Sequence, residues 1–285
     1  MSSENPFITV FTPSYNNSKY ISETIESVIN QDYLNFEYII IDDCSSDQSW
    51  KIIQKYAEKD KRIKIIRNER NMGIVKTRNE GFENRSPRSK YFAIIDSDDI
   101  SLVNRLRFQV EFLENDHNYG LVGSDALIID EDSIIIGYRA YPSNDNEIRK
   151  KIIRYNPFAQ SSILIRTKVI NQIGLYDEKW HVCQDYDYWL RTGINWKLAN
   201  IDKPLIKYRI SKTQVKFTKL KDTILNTYLI QNKAIKKYGY KDNFVNKLFR
   251  ILLKSFLISP KIVYYIYEIR IKTRKFHIIN EFISL

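Results

Sequence analysis

Three carboxylates stand within four positions at Asp96-Ser97-Asp98-Asp99, directly after the apolar run Tyr91-Phe92-Ala93-Ile94-Ile95. A short run rich in β-branched and aromatic residues reads as a buried strand, so the acids sit at its tip. Carboxylates this close repel one another, and a hard divalent cation, Mg2+ or Mn2+, is a natural counter-charge. Held by only one or two protein carboxylates, such an ion keeps coordination positions for phosphate oxygens. Period-two spacing points Asp96 and Asp98 the same way if the extended backbone continues, with Asp99 turning outward. A solvated acidic turn that caps the next helix is the competing reading.

A second chemical stretch is Gln184-Asp185-Tyr186-Asp187-Tyr188-Trp189-Leu190-Arg191. Tyr188, Trp189 and Leu190 suit an amphipathic helix facing a sheet, which puts Asp185 near the helix N-terminus, where the dipole favours the ionised form. A carboxylate in a cleft can accept the proton of an attacking hydroxyl, and Asp187 is the alternative in the same turn. Capping alone is the plainer explanation.

These residues must be positioned by the elements around them. Phe7-Ile8-Thr9-Val10-Phe11-Thr12-Pro13 reads as a first strand, followed by the polar turn Ser14 to Ser18 and a helix through Ile21, Ile25, Val28 and Ile29. A second strand, Phe36 to Ile41, ends in Asp42-Asp43; Ser45 with Gln48 matches a capping box before a helix through Ile52, Ile53, Tyr56 and Ala57. A third strand, Arg62 to Ile66, precedes Asn71-Met72-Gly73 and a helix through Val75, Arg78 and Phe82. Strand and helix alternate three times before the Asp96 strand, which predicts an α/β fold, Rossmann-like, with a mostly parallel central sheet flanked by helices. Ligands of such sheets bind beyond the carboxyl ends of the strands, so residues 12–16, Asp42-Asp43, 73–78 and 96–99 share one rim. Arg78 is the cationic counterweight, able to pair with a phosphate or with a rim carboxylate, and Tyr15 can stack on a base or merely cover the core. Cation, guanidinium and ring together suit a nucleoside diphosphate.

Four segments carry a family resemblance: Thr12-Pro13-Ser14-Tyr15-Asn16, Ile41-Asp42-Asp43-Cys44-Ser45-Ser46-Asp47, Asn71-Met72-Gly73 through Arg78-Asn79-Glu80-Gly81, and Asp96-Ser97-Asp98-Asp99. In order and spacing they resemble the successive signatures of glycosyltransferase family 2. The resemblance implies a GT-A fold and an inverting, hexosyltransferase-type enzyme that uses a nucleoside diphosphate sugar, with uridine favoured. It implies a nucleotide site of Pro13, Tyr15, Asp43, Arg78, Asp96 and Asp98, in which Tyr15 stacks on the base and Asp43 accepts from a ring nitrogen. It implies that Asp98, helped by Asp96 or Asp99, holds Mn2+ or Mg2+, and that Asp185 is the catalytic base. The acceptor it implies is a hydroxyl of a glycan or lipid-linked glycan, in bacterial surface polysaccharide synthesis. One departure stands out: relatives often follow a Tyr-Arg pair with a metal-binding histidine, whereas this chain has Tyr208-Arg209-Ile210-Ser211-Lys212. Ser211 is a poor ligand, and Lys212 can instead meet the diphosphate.

Beyond residue 101 the pattern predicts a helix over 102–116 with Ser101 near its start. Short strands follow at 121–122, 126–129 and 133–137, the first two separate and Asp130-Glu131-Asp132 forming a turn. A surface helix over 144–154, a strand over 159–166, a helix over 168–173 and closing strands at 196–199 and 204–210 complete residues 1–214 as a catalytic domain. Its halves, 1–100 and 101–214, serve nucleotide and acceptor. Residues 215–285 form a basic helical extension, with helices over 218–238 and 241–258 broken at Gly239, while the state of 262–271 is undecided.

Charge is divided along the chain. The net +11 lies in the tail: residues 211–285 carry 16 Lys+Arg against 4 Asp+Glu, and the first 210 carry 29 against 30. A basic tail on a neutral body suggests an anionic partner. Lys247, Arg250 and Lys254 fall on one side of the second tail helix, opposite Phe244, Leu248, Ile251, Leu252, Ser255 and Phe256, a pattern that suits a helix in a membrane interface; packing on the body or on a second copy of the chain is the other reading. Lys254, Pro260 and Lys261 argue against a spanning helix. Two cysteines and three scattered histidines exclude a disulfide framework and a zinc cluster, and the polar start lacks a secretory h-region, so a cytoplasmic protein, peripheral on the inner membrane face, is expected. Two other functions compete. A sugar-nucleotide nucleotidyltransferase needs a Gly-rich basic loop, and residues 12–18 contain neither Gly nor Arg. A nucleic-acid-binding protein would work through the basic tail without the rim acids, and the enzyme reading gives it no nucleic-acid partner.

Overall fold

The structure, a computed structural model, describes residues 5–211 and 219–257. Lys212 and residues 258–285, including 262–271, lie outside the described residues. The first half alternates as expected: β1 (Ile8–Ser14), α1 (Ile21–Ile29), β2 (Phe36–Asp42), α2 (Ser49–Lys59), β3 (Ile63–Arg67), α3 (Ile74–Glu83) and β4 (Tyr91–Ile94). The second half comprises β5 (Ile100–Ser101), α4 (Arg105–Asn115), β6 (Tyr119–Ile129), β7 (Ile135–Arg139), α5 (Asp145–Lys151), β8 (Leu164–Arg166), α6 (Thr167–Ile173), α7 (Gln184–Thr192) and β9 (Lys197–Arg209). Two further helices, α8 (Leu220–Lys237) and α9 (Phe244–Ser255), follow.

The strands form one sheet in the order β3-β2-β1-β4-β8-β6-β9-β5, with β7 on β6. The pairs β3-β2, β2-β1, β1-β4 and β6-β9 are parallel, whereas β8 runs antiparallel between β4 and β6. Because helices cover both faces, β1 and β2 are buried at every position, as parallel strands in such folds are. Their side chains still alternate between two cores. Val10, Tyr38, Ile40 and Ala93 pack with Ile25 of α1, Ile53 of α2 and Leu106 of α4. Phe11, Ile39, Phe92 and Ile94 pack on the other face with Phe82 of α3, Val169 of α6, Trp189 of α7 and Ile230 of α8. The first tail helix thus shares a core with the body.

Several local expectations are corrected. The proposed capping box does not form: α2 begins at Ser49, whose N–H donates to Asp47 Oδ1 at 2.8 Å, while Ser45 Oγ accepts from Asn16 N at 2.9 Å. Ser101 is in β5, and α4 starts only at Arg105. The two strands expected at 121–129 are one, as are the two at 196–210. Pro204, expected to open the second of them, faces Asp125 where the β6-β9 register shifts, so the irregularity absorbs its missing N–H. Residues 160–162 form a 3-10 turn before β8 in place of a continuous strand.

Helix α3 lies close on β1. A Cβ built on Gly81 would come within 2.6 Å of the Phe11 ring, which is itself locked in the core beside Phe92. Gly81→Ala would normally stabilise a helix interior by about 1 kcal/mol. Here overpacking reverses the sign, and the variant is expected to lose about 1–3 kcal/mol in urea unfolding.

Candidate active site

The acidic tip is a turn rather than an extended strand. Strand β4 stops at Ile94, and Asp99 N donates to Asp96 O at 3.1 Å, so the alternation expected of Asp96 and Asp98 does not continue. Asp99 does not turn outward as expected: it is 1% exposed, whereas Asp96 and Asp98 are partly open. The reason is a partner. Asp99 Oδ1 accepts the backbone N–H of Arg209 at 2.7 Å, which draws the carboxyl under the turn. Desolvation pushes its pKa well above the ordinary carboxylate range, and the nearby charges of Asp98 and Asp96 push it further.

The turn is braced from three elements. Thr24 Oγ1 of α1 reaches the carbonyls of Ser97 and Asp99 at 2.9 and 2.8 Å, and Ser161 Oγ accepts Asp96 N at 3.0 Å. Arg209, fully buried at the end of β9, donates from Nε to Asp98 O at 2.8 Å, from Nη1 to Asp130 O at 3.0 Å and from Nη2 to Glu23 Oε2 at 2.6 Å. One guanidinium therefore ties together α1, the acidic turn and the β6-β7 turn, a task that suits its planar fork of donors.

The loops after β1 and β2 are laced to each other. Asn16, at φ 47°, accepts Ser46 N on Oδ1 at 2.8 Å, and Asn17 N and Ser18 N donate to Ser49 Oγ and Asp47 Oδ2 at 2.8 and 2.9 Å. This leaves Tyr15 projecting, 51% exposed. Asp43 is buried, and its carboxylate fixes the loop before α3: Oδ1 accepts Met72 N and Asn68 Nδ2 at 2.8 and 2.9 Å, and Oδ2 accepts Gly73 N at 2.8 Å. Gly73 takes φ +86°, which a side chain would strain. Arg78 projects from α3, buried, with Nη2 2.6 Å from Asp96 Oδ1. Burial opposes its charge, but Asp96, Tyr176 and Asp185 more than compensate and hold its pKa above the usual value. Its Nε is buried and meets no acceptor among the described residues.

Asp185 enters from the other half of the chain. It lies in the first turn of α7, whose N-terminal neighbour Cys183 adopts φ 63°, and Asn156 Nδ2 donates to its Oδ2 at 2.7 Å. Desolvation raises its pKa, while Arg78, the Tyr186 N–H and Asn156 work against that rise. Asp187 is fully buried, with Oδ2 3.0 Å from Arg191 Nε and Oδ1 2.9 Å from Lys233 Nζ of α8, so this alternative holds the helix in place.

All the expected site residues share one cleft of about 790 Å3: Pro13, Tyr15, Asp43, Arg78, Asp96, Asp98, Asp99 and Asp185 all line it. Asn156, Gln160 and residues Thr223 and Thr227 of α8 also line it. Sequence reasoning missed Asn156, Ser161, Thr24 and Arg209, because isolated polar residues in turns and strand ends have no periodicity; only the Tyr208-Arg209 pair carried a signal. Among the described residues no group of three or more His, Cys, Asp or Glu side chains is placed to hold a metal ion by itself.

Arg209→Met is expected to cost about 3 kcal/mol, since it strips a buried hub of its donors. Arg209→Lys should recover less than half of that, because an ammonium cannot span the same acceptors; urea unfolding of both variants measures the difference.

Comparison with known proteins places the chain in a lineage. The sequence profile described as "Glycosyl transferase family 2" matches residues 9–174. An uncharacterized glycosyltransferase of Methanocaldococcus jannaschii is 34% identical over 229 residues, 79% of this chain and 78% of that protein. The Escherichia coli protein WfaP, a UDP-Glc:alpha-D-GlcNAc-diphosphoundecaprenol beta-1,3-glucosyltransferase, is 29% identical over 235 residues, 81% of this chain and 88% of its own. Among solved structures, residues 1–349 of S. aureus TarS in complex with UDP-GlcNAc align with a TM-score of 0.61 at 20% identity, covering 89% of this chain and 81% of that one, a likeness of fold. A profile match over more than half of the sequence, on a curled sheet of this order, makes the chain a member of glycosyltransferase family 2 with the GT-A fold.

Proposed function

We propose that this glycosyltransferase moves a sugar, with inversion, from a UDP-sugar to a hydroxyl of a lipid-linked or free glycan in surface polysaccharide synthesis. The observation that carries the reading is the meeting, in one cleft, of Tyr15, Asp43, Arg78 and Asp96 from the first half of the chain with the carboxylate of Asp185 from the second. WfaP, similar over most of both chains, takes a UDP-sugar and a diphosphoundecaprenol acceptor by name, which supports the donor base and the acceptor class.

In this reading the base of the nucleotide stacks on Tyr15 beside Pro13, and its ring N–H is met by Asp43, whose orientation is fixed beforehand by the 68–73 loop. Arg78 presents positive charge toward the diphosphate, and its buried Nε, without an acceptor among the described residues, is a donor available to a ligand oxygen. Asp185 removes the proton of the acceptor hydroxyl. The acceptor oxygen forms its bond to the anomeric carbon as the bond to the diphosphate breaks on the opposite face, and the electron pair leaves with the diphosphate. Asn156 keeps the receiving oxygen of Asp185 in place.

The site fits a divalent cation held in part by the substrate. Burial, with the charges of Asp98 and Asp96 added to it, pushes Asp99 toward its neutral form, and Arg78 pairs with Asp96. With no self-sufficient set of ligands among the described residues, Asp98 and Asp96 would supply one or two oxygens and the diphosphate the others, while Asp99 lies beneath them. When bound, Mn2+ or Mg2+ would neutralise charge on the leaving diphosphate. The Arg209 hub keeps Asp98 in register for this purpose.

The catalytic assignment predicts a separation of binding from chemistry. Asp185→Asn should lower transfer at least about a thousandfold while UDP binding, followed by calorimetry, stays within about threefold. Asp98→Ala should remove the Mn2+-dependent part of UDP affinity and spare the metal-free part. Equal loss of binding and transfer in Asp185→Asn would overturn the role of base.

A pH prediction follows from the sign of the Asp185 shift. A base must be ionised, and desolvation raises this carboxyl, so the acid limb of kcat/KM should lie above the value of about 4 for a free aspartate. Asn156 favours the ionised form, so Asn156→Ala should move that limb to still higher pH, read from the pH profile of transfer.

A further inference from the structure

The last described helix presents the wrong face to solvent for an ordinary surface helix. In α9 the residues turned toward the body are Asn246, Arg250 and Leu253, at helical spacing; Asn246 is buried, and Arg250 donates to Asn232 Oδ1 and Asp242 Oδ2, each at 2.6 Å. This corrects the expectation that Arg250 joins Lys247 and Lys254 on a solvent-facing cationic side. The outer side carries Phe244 at 81% exposure, Leu248 at 56%, Ile251 at 68% and Leu252 at 49%, with Val245 and Phe249 exposed at its border. Lys247 and Lys254, two turns apart, flank that apolar strip on one side and are exposed. Contiguous exposed apolar residues on one helix are rare on a soluble surface and mark an interaction site.

We propose that this face of α9 docks on an anionic lipid surface, Phe244, Leu248, Ile251 and Leu252 entering the headgroup boundary while Lys247 and Lys254 meet lipid phosphates. Charge complementarity selects this occupant. The +12 balance of residues 211–285 attracts a negative surface and opposes a second copy of the same face. Residues 258–285 carry 5 Lys+Arg against 2 Glu, so the sequence that follows α9 adds to the positive charge. Apolar anchors without a basic flank would be indifferent to headgroup charge; this strip has both. No helix among the described residues is long and apolar enough to cross a membrane, which makes α9 a surface anchor. Helix α9 packs on α8, the helix whose Thr223 and Thr227 line the catalytic cleft, so docking would bring that cleft to the bilayer.

The inference stands independently of the catalytic reading and is tested without turnover. The full chain is sedimented with phosphatidylcholine vesicles with and without phosphatidylglycerol, at low and high salt. Binding is expected only to the phosphatidylglycerol vesicles and should weaken with salt. The double variant Leu248→Glu/Leu252→Glu should lose at least about a hundredfold in affinity, and Lys247→Ala and Lys254→Ala about fivefold each. Thermal unfolding and calorimetric UDP binding of these variants should match the parent. Equal binding to both vesicle types, or none, overturns the proposal. So does a drop in melting temperature of the double variant, which would mean that the chain's own residues cover the strip, or its conversion of a dimer to a monomer in light scattering, which would mean that a second copy does.

Discussion

The structure depends on keeping several negative charges together at the edge of a sheet where water is scarce. Asp96, Asp98 and Asp99 cannot be brought within one turn unless their carboxylates, and the backbone that carries them, are answered from elsewhere. The answer is divided among three positions. Arg78 pairs with Asp96 from α3, the Arg209 backbone takes Asp99, and the Arg209 side chain clamps the carbonyls of the turn. Arg105 adds a buried cation that donates to Ile94 O and Ile163 O beneath the turn; burial lowers its pKa, and Asp99 opposes that. The acids therefore differ in state: Asp99 is buried and driven toward neutrality, while Asp96 and Asp98 stay open to the cleft.

The same economy of buried charge fixes the opposite wall. Helix α7 carries two acids two residues apart, and their environments separate them by role. Asp187 points into the body, held between Arg191 and Lys233, and so locks α7 to α8. Asp185 points to the cleft, where Arg78 favours its charge and the Tyr186 N–H of its own helix and Asn156 hold it. Lys233 also reaches Asp177 at 3.1 Å, in the segment that Arg191 and Tyr188 grip through the carbonyls of Ile173, Gly174 and Leu175. The carboxylate proposed to take a proton is thus mounted on a helix that cannot easily rotate, as positioning of a reacting group demands.

The tail joins this arrangement in two different ways. Helix α8 is part of the body, since Ile230 and Ala234 share a core with β1, α3 and α7, and its N-terminal half borders the cleft. Helix α9 turns Asn246 toward Arg154 and Arg250 toward α8 and leaves most of its apolar residues outward, the reverse of a helix whose burial is driven by the core. That inversion, beside the exposed Lys247 and Lys254, is what suits a lipid surface.

The sequence by itself determined the alternation of strands and helices and the rim on which the acidic clusters gather. Those features follow from local periodicity and from the rule that parallel strands end on one side, both of which are written in consecutive residues. Tertiary structure alone decided which acid faces the cleft and which is buried. Asp99 turns inward because Arg209, 110 residues away, offers it an N–H; Asp187 is taken by Lys233, 46 residues on. It also decided that Ser45 serves the loop after β1 instead of capping α2, that Pro204 lies inside a single long strand, and that Arg250 faces inward. Each of these depends on a partner distant in sequence, and a burial or a hydrogen bond between distant residues leaves no periodic trace in the chain.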